Sequence, residues 1–370
     1  MKILHNLLHC EKLFAMPPKR KKKDSEHSEK SNSRRISLKE LAAHLKLSPT
    51  SLSIVLNDAP AASAIPQETK DRIFQAAAEF NYRPNYFARS LRAQRSFTIG
   101  VIVPELSDGY SAMVLNGVEA ALSKEGFFYL TASHLHREDL LEHHPKMLLE
   151  RQVEGIIAVD TPIRFQSTLP IVTVSGHEKI KGVTNVILNH RHAAELAIEH
   201  LFSLGHREIA VIKGQDFSSD TEVRWTTTVE AARKRGIIIN PKMCQQLEGD
   251  MPSPEIGYVA MKKILQRGKN FTALFAFNDI SAIGAIRALE EFGLRVPANV
   301  SVLGFDDIYT AAFHNPALTT IRQPLFEMGS IAAVMLLERL GSETKNGFPP
   351  VLSVEPTIIV RQSTAPVLKT

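Results

Sequence analysis

The chain has 370 residues, 44% of them hydrophobic, with 44 Lys+Arg against 39 Asp+Glu for a net charge of +5. That length allows two or three domains with a large buried core. Its two cysteines, Cys10 and Cys244, exclude a disulfide framework and make a reducing compartment the default, and no apolar run approaches the roughly 18 residues of a membrane span. The net charge hides an asymmetry: residues 1–95 carry 18 Lys+Arg against 9 Asp+Glu, and the remaining 275 carry 26 against 30. A basic head on a mildly acidic body is the layout of a protein whose head alone meets phosphate, although charge by itself fits a solvated surface with a basic tail equally well.

Residues 1–15 hold an apolar stretch broken by His5, Asn6 and His9, too weak for a secretion signal. Met16 stands as an alternative start. Residues 1–35 are expected to form a disordered basic extension, because from Met16 onward they are charged, Ser-rich and nearly free of large apolar groups. Their run Lys19-Arg20-Lys21-Lys22-Lys23 resembles a nuclear import signal, but it reads better as an arm adding non-specific phosphate affinity.

Residues 36–84 read as a helix-turn-helix. Ser37 followed by Glu40 is a capping box, and Ser48 followed by Pro49 is a second helix start. Leu38, Leu41, Ala42 and Leu45 line one face of the first helix; Leu52, Val55 and Leu56 line the second. Two helices of about two turns each are not stable alone. A third, over residues 66–81, supplies Ile73, Ala76, Ala77 and Phe80. Residues 85–95 then combine Tyr86, Phe87 and Leu91 with Arg89, Arg92 and Arg95, an amphipathic segment expected to be a linker helix.

From Thr98 onward the pattern changes. IGVIVP, FFYLTAS, GIIAVD, PIVTVS, EIAVIKG, TALFAFND and VSVLGFDD are continuous apolar strands, which predicts a parallel sheet covered on both faces. Helices at 193–204 and 281–292, closed by Gly205 and Gly293, alternate with them. This is β-α-β wiring, with too many strands for one modest sheet, so two lobes are expected over residues 96–365. Ligands in such sheets sit beyond the carboxyl ends of strands, where Asn278-Asp279, Asp306-Asp307 and the loop after Gly214 fall.

These stretches in order (LSPTSLSIVLN, IPQETKDRIFQAAAEFNYRPNYFARSLR, LGHREIAVIKG, FAFNDISAIGAIRALEEFGLRVPANVSVLGFDDI and LTTIRQP) resemble the LacI/GalR family of bacterial ligand-controlled transcription regulators over residues 36–362. The resemblance implies an N-terminal all-α helix-turn-helix head and an α/β two-lobed periplasmic-binding-protein-like effector domain. It implies chain crossovers between the lobes near 188–190, 319–324 and 349–351. Helix 48–57 would enter the major groove, with Ser48, Pro49, Thr50, Ser51, Ser53, Ile54, Asn57 and Tyr82 facing DNA. Many family members carry Arg where this chain has Ile54, so the bidentate Arg–guanine reading is missing here and Ile54 either meets a thymine methyl or packs. Asn85, Ala88 and Leu91 would belong to a hinge helix that folds on operator DNA, Leu91 wedging into the minor groove.

In the body the resemblance assigns effector contacts to Arg224, Asn278 and Asp306, a fork, an amide and a carboxylate suited to reading sugar or nucleobase edges. Tyr110 and the single Trp225 are candidate apolar platforms, whereas Asp279 and Asp307 read as structural. The histidine pairs His134-His136, His143-His144 and His190-His192 lack the Cys or carboxylate partners of a closed metal site and read as solvated, so neither metal nor cofactor is expected. There is no GxSxG, HExxH, P-loop or strand-following GxGxxG, so no enzyme class is indicated. The expectation is a cytoplasmic, nucleoid-associated homodimer that binds a pseudo-palindromic operator in double-stranded DNA, most often to repress, under a small effector of carbohydrate type, with no membrane partner. The rival is a solute-binding protein with the same body, which calls for an export signal and no DNA head.

Overall fold

The computed structural model describes residues 36–57, 59–82, 90, 94–107, 109–249, 253–342 and 347–367. The basic extension and the hinge residues Asn85, Ala88 and Leu91 lie outside them. The chain forms two compact units, a head up to residue 89 and a body from Ser90 onward.

In the head, α1 (Leu38–Leu45) starts where extended Ser37 accepts the Glu40 N–H at 3.2 Å and donates its own N–H to the Glu40 carboxylate at 2.8 Å. It stops at Lys46, whose left-handed backbone (φ 53°) lets its N–H reach the carbonyls of Ala42 and Ala43. α2 (Pro49–Leu56) is capped by Ser48, whose Oγ accepts the Ser51 N–H at 3.0 Å. α3 (Gln67–Glu79) closes the unit over Leu41, Leu52 and Ile73, all fully buried. Each of these side chains contributes about 1.5–3 kcal/mol by leaving water, which is what holds three short helices together.

The body holds two six-stranded sheets. The first comprises β1 (Thr98–Val103), β2 (Phe128–Ser133), β3 (Gly155–Val159), β4 (Ile171–Val174), β5 (Thr184–Leu188) and β11 (Val351–Val354), in the spatial order β11-β5-β4-β3-β1-β2 and parallel throughout. The second comprises β6 (Ile209–Lys213), β7 (Cys244–Gln246), β8 (Ala273–Ala276), β9 (Ser301–Asp306), β10 (Thr319–Arg322) and β12 (Thr357–Ile359), in the order β12-β10-β9-β8-β6-β7, with only β12 antiparallel. β1, β3, β4, β8 and β9 are buried along their whole length, as strands covered on both faces must be.

α4 (Gly109–Lys124), α5 (Glu138–Glu150) and α11 (Leu325–Gly341) pack on the first sheet. α6 (His190–Ser203), α7 (Asp220–Lys234), α8 (Pro254–Arg267) and α9 (Asp279–Glu291) pack on the second, with the short α10 (Tyr309–Phe313) beside them. α4 and α11 approach so closely that a Cβ at Gly117 would strike the Phe326 carbonyl and one at Gly329 the Val114 carbonyl. The chain passes between lobes after β5, between β10 and α11, and between β11 and β12.

Three expectations need correction. The third crossover lies after Val354, not near 349–351, because β11 first completes the edge of the first sheet. FFYLTAS is no covered strand: β2 pairs only with β1 at the sheet edge, and Phe128 is 63% exposed. The helices expected from 193 and 281 start at His190 and Asp279, capped by Asn189 and Asn278. β5, β7, β10, β11 and β12 escaped the strand reading because they are three to five residues long and carry polar groups.

Candidate ligand cleft and nucleic-acid interface

Between the two sheets of the body lies a cleft of about 560 Å³, counting its open mouth. Arg224, Asn278, Asp306 and Tyr110, the four residues predicted for the effector, all line it.

Arg224 sits on the buried face of α7, 6% exposed. Its Nη2 lies 3.2 Å from Asp220, and its Nη1 donates to the Phe277 carbonyl. The rings of Phe305 and Phe277 flank the guanidinium at 3.7 and 4.3 Å. Asp220 opens α7, and His190 Nε2 stands 3.2 Å from its other oxygen. Burial would raise the Asp220 carboxyl, but the His190 and Arg224 charges outweigh it and hold the group well below the carboxylate range. Asn278 Oδ1 is used by the α9 cap, accepting the Ser281 N–H at 2.9 Å, so its –NH₂ is the group left for a ligand.

Asp306 ends β9 and accepts from Gln323 Nε2 at 2.6 Å. Its backbone is at φ 106°, and Asp160, at the end of β3, is at φ 38°. Non-glycine residues held there cost about 1–3 kcal/mol each, and such strain gathers at ligand clamps.

The first lobe meets the second through Asp160. It accepts from Ser218 Oγ at 3.3 Å and from Ser219 N and Oγ at 3.2 and 2.9 Å. His177 Nε2 stands 3.1 Å from Asp160; burial alone would lower this imidazole, but the Asp160 hydrogen bond and charge raise it above its usual value. His136 stacks on Phe217 across the mouth, ring centres 3.8 Å apart. Tyr110 donates to Ser175 Oγ at 3.0 Å; burial, then the charges of Asp220 and Asp160, keep its phenol neutral by raising it well above 10.

Sequence reasoning missed Glu105, Asp160, Asp220 and Gln323. GIIAVD already shows a carboxylate at a strand's carboxyl end, and LTTIRQP contains Gln323. Nothing in either stretch says which lobe faces the other. Trp225 lines a separate small cavity with Lys213 rather than this cleft. Asp279 accepts from Ile308 N and Thr320 Oγ1, and Asp307 pairs with Arg322 and Arg361, so both brace the fold.

His134 and His190 are buried, not solvated. His134 bonds Thr161 and accepts the His136 N–H, and burial pushes it down to about 4. Among the described residues, no three His, Cys, Asp or Glu side chains gather as metal ligands do, and no helix is long and apolar enough to cross a membrane.

On the head, Ser48, Pro49, Thr50 and Asn57 are exposed, and Ser51, Ser53, Ile54 and Tyr82 half-buried. Asn57 Nδ2 donates to the Ser53 carbonyl at 2.7 Å, closing the end of α2. Tyr82 packs against the head core and its N–H bonds the Ala77 carbonyl at 2.8 Å. Ile54 stays outside that core.

A family model for the periplasmic binding protein-like domain matches residues 198–364. The HTH-type transcriptional repressor PurR of Pasteurella multocida (strain Pm70) is 31% identical over 336 residues, covering 88% of this chain and 98% of that one. The crystal structure of the Lac repressor dimer bound to operator and the anti-inducer ONPF matches at TM-score 0.77 and 25% identity, covering 90% of this chain and 100% of that one. A complex of the transcriptional regulator CelR with cellobiose matches at TM-score 0.65 and 26% identity, covering 89% and 100%.

Proposed function

Because the chain belongs to the LacI/GalR family of ligand-responsive transcriptional regulators, we propose that it is a cytoplasmic, homodimeric repressor whose hold on a pseudo-palindromic operator is set by a small carbohydrate in the body's cleft. The observation that carries this reading is the meeting of Arg224, Asn278 and Asp306 at the carboxyl ends of the second sheet, in a chain whose head exposes Ser48, Pro49 and Thr50 at the amino end of α2. The comparisons support it through a repressor relative, an operator-bound dimer and a cellobiose complex.

In this reading Thr50, Ser51, Ser53 and Ile54 face the major groove, with Ser48, Pro49, Asn57 and Tyr82 on the phosphates beside it. Asn85, Ala88 and Leu91 act in the minor groove, Leu91 as the wedge. The effector acts only through its differential affinity for two states of the protein, so operator DNA changes effector affinity by the same factor. No catalysis is involved. A solute-binding protein with the same body has no use for the head.

The test is selection of fragments from sheared genomic DNA by the purified protein at physiological salt. Recovered fragments should share an inverted repeat, and its sequence-specific capture should respond to a carbohydrate. Retention that is sequence-blind and salt-sensitive overturns the reading.

A further inference from the structure

The cleft's charge and hydrogen-bonding polarity narrow the class of molecule it takes. Four carboxylates line it, from Glu105, Asp160, Asp220 and Asp306. Among the described lining residues only Arg224 bears a permanent positive charge, and that charge is already engaged. One prong faces Asp220, the other holds the Phe277 carbonyl, and two aromatic rings cover the planar faces. A phosphate or carboxylate would have to compete with Asp220 for this guanidinium while sitting among three further carboxylates. The start of α7 at the cleft, which would otherwise favour an anion, already carries the chain's own Asp220.

Hydrogen-bond polarity gives an independent constraint. The carboxylates can only accept. Gln323, 1% exposed, gives its –NH₂ to Asp306 and leaves Oε1 buried without a partner. That acceptor asks for a donor. Arg224 Nε is a buried donor without a partner, and the Asn278 –NH₂ is a second donor. A phosphate or carboxylate accepts only, so it could serve the two donors but not Gln323 Oε1. A hydroxyl does both. The stacked rings of His136 and Phe217 offer a face for C–H groups.

We infer that the effector is an uncharged, hydroxyl-rich molecule, an unphosphorylated sugar or polyol, and that the cleft rejects the corresponding phosphate esters and sugar acids. This rests on the reading that the cleft holds the effector. It names the class within that reading from this chain's own charges.

The experiment is thermal unfolding of the purified full-length protein with matched ligands. Glucose, ribose, fructose, xylose and cellobiose are set against glucose 6-phosphate, ribose 5-phosphate, fructose 1-phosphate and gluconate, with hypoxanthine and adenosine as neutral planar controls. At least one neutral sugar should raise the midpoint, with its charged counterpart bound at least tenfold more weakly. A charged member bound as tightly as its neutral sibling, or a purine acting where every sugar is silent, overturns the class and leaves the effector reading standing. Silence from the whole series and from a small-molecule cell extract overturns both. Asp220→Asn, which releases Arg224, should narrow the preference for neutral sugar at least tenfold. If that variant does not fold, Glu105→Gln should narrow it several-fold at unchanged shape. An unchanged preference in a folded variant counts against the charge argument.

Discussion

The two lobes meet the same cleft with different chemistry. The second lobe offers groups already anchored within its own sheet: Arg224 clamped by Asp220 and the Phe277 carbonyl, Asn278 by the α9 cap, and Asp306 by Gln323 at the lobe crossover. The first lobe offers groups whose partners lie across the gap, Asp160 on Ser218 and Ser219 and His136 on Phe217. The second wall is braced within its own lobe, whereas Asp160 and His136 of the first wall also bridge to the other lobe. Preorganised groups set which ligand fits; contacts formed on closure set how tightly the state is held.

This contrast can be broken at its strongest point first. Arg224→Ala should weaken effector binding at least 100-fold and abolish the operator response while operator binding itself persists. Calorimetry with the identified sugar and a gel-shift series check it, and an unchanged response rejects the role. The same change removes one partner of a buried ion pair, so denaturant unfolding should also show a loss of about 3 kcal/mol. Asp160→Ala should have a smaller effect, roughly tenfold on effector affinity, with little change in unfolding. Solution scattering should then report a more open body; the parent's compactness in this variant contradicts a closing role.

Two first-lobe histidines respond to pH with opposite signs. His177 is raised in the folded state, so its pairing with Asp160 contributes fully below its ordinary value near 6.5 and is lost as pH rises through the raised value. Unfolding stability should therefore fall on going from pH 6 to pH 8.5, and His177→Gln should flatten that profile. His134 has the opposite sign. It is lowered to about 4, so the unfolded chain takes up a proton first and stability is lost as pH falls from about 6.5 toward 4, by on the order of 2 kcal/mol. Unfolding midpoints across that range, with His134→Gln as control, test this. The smallest effect is expected for Phe217→Ala: a stacked pair contributes about 0.5–1.5 kcal/mol, a few-fold faster release of effector in stopped flow.

Legibility followed the range of the interaction. Ser37 with Glu40 and Ser48 with Ser51 are readable because both partners lie within one helical turn. The buried strands are readable because covering both faces leaves an unbroken apolar run. The short strands β7, β11 and β12 are not, since their register comes from neighbours distant in sequence. Asn278 and Asp306 stood in motifs that the resemblance rests on, and Arg224 was assigned by the resemblance outside them. Asp160 needed both lobes in place, since it faces partners 58 and 59 residues away, and Gln323 needed the second sheet assembled, since its partner lies 17 residues away on a neighbouring strand. Trp225 shows the limit from the other side: beside Arg224 in sequence, it turns to a different cavity.

Local chemistry by itself determined the helix starts in the head, the β-α alternation of the body and the charge contrast between them, because caps, periodicity and composition act over a few residues. Only the tertiary structure decided which strand forms an edge, where the chain crosses between lobes, and that four carboxylates and one engaged guanidinium share a single cleft. Those outcomes depend on residues far apart in the chain meeting in a low-dielectric site, where each group's charge and hydrogen bonds are set by what the fold puts beside it.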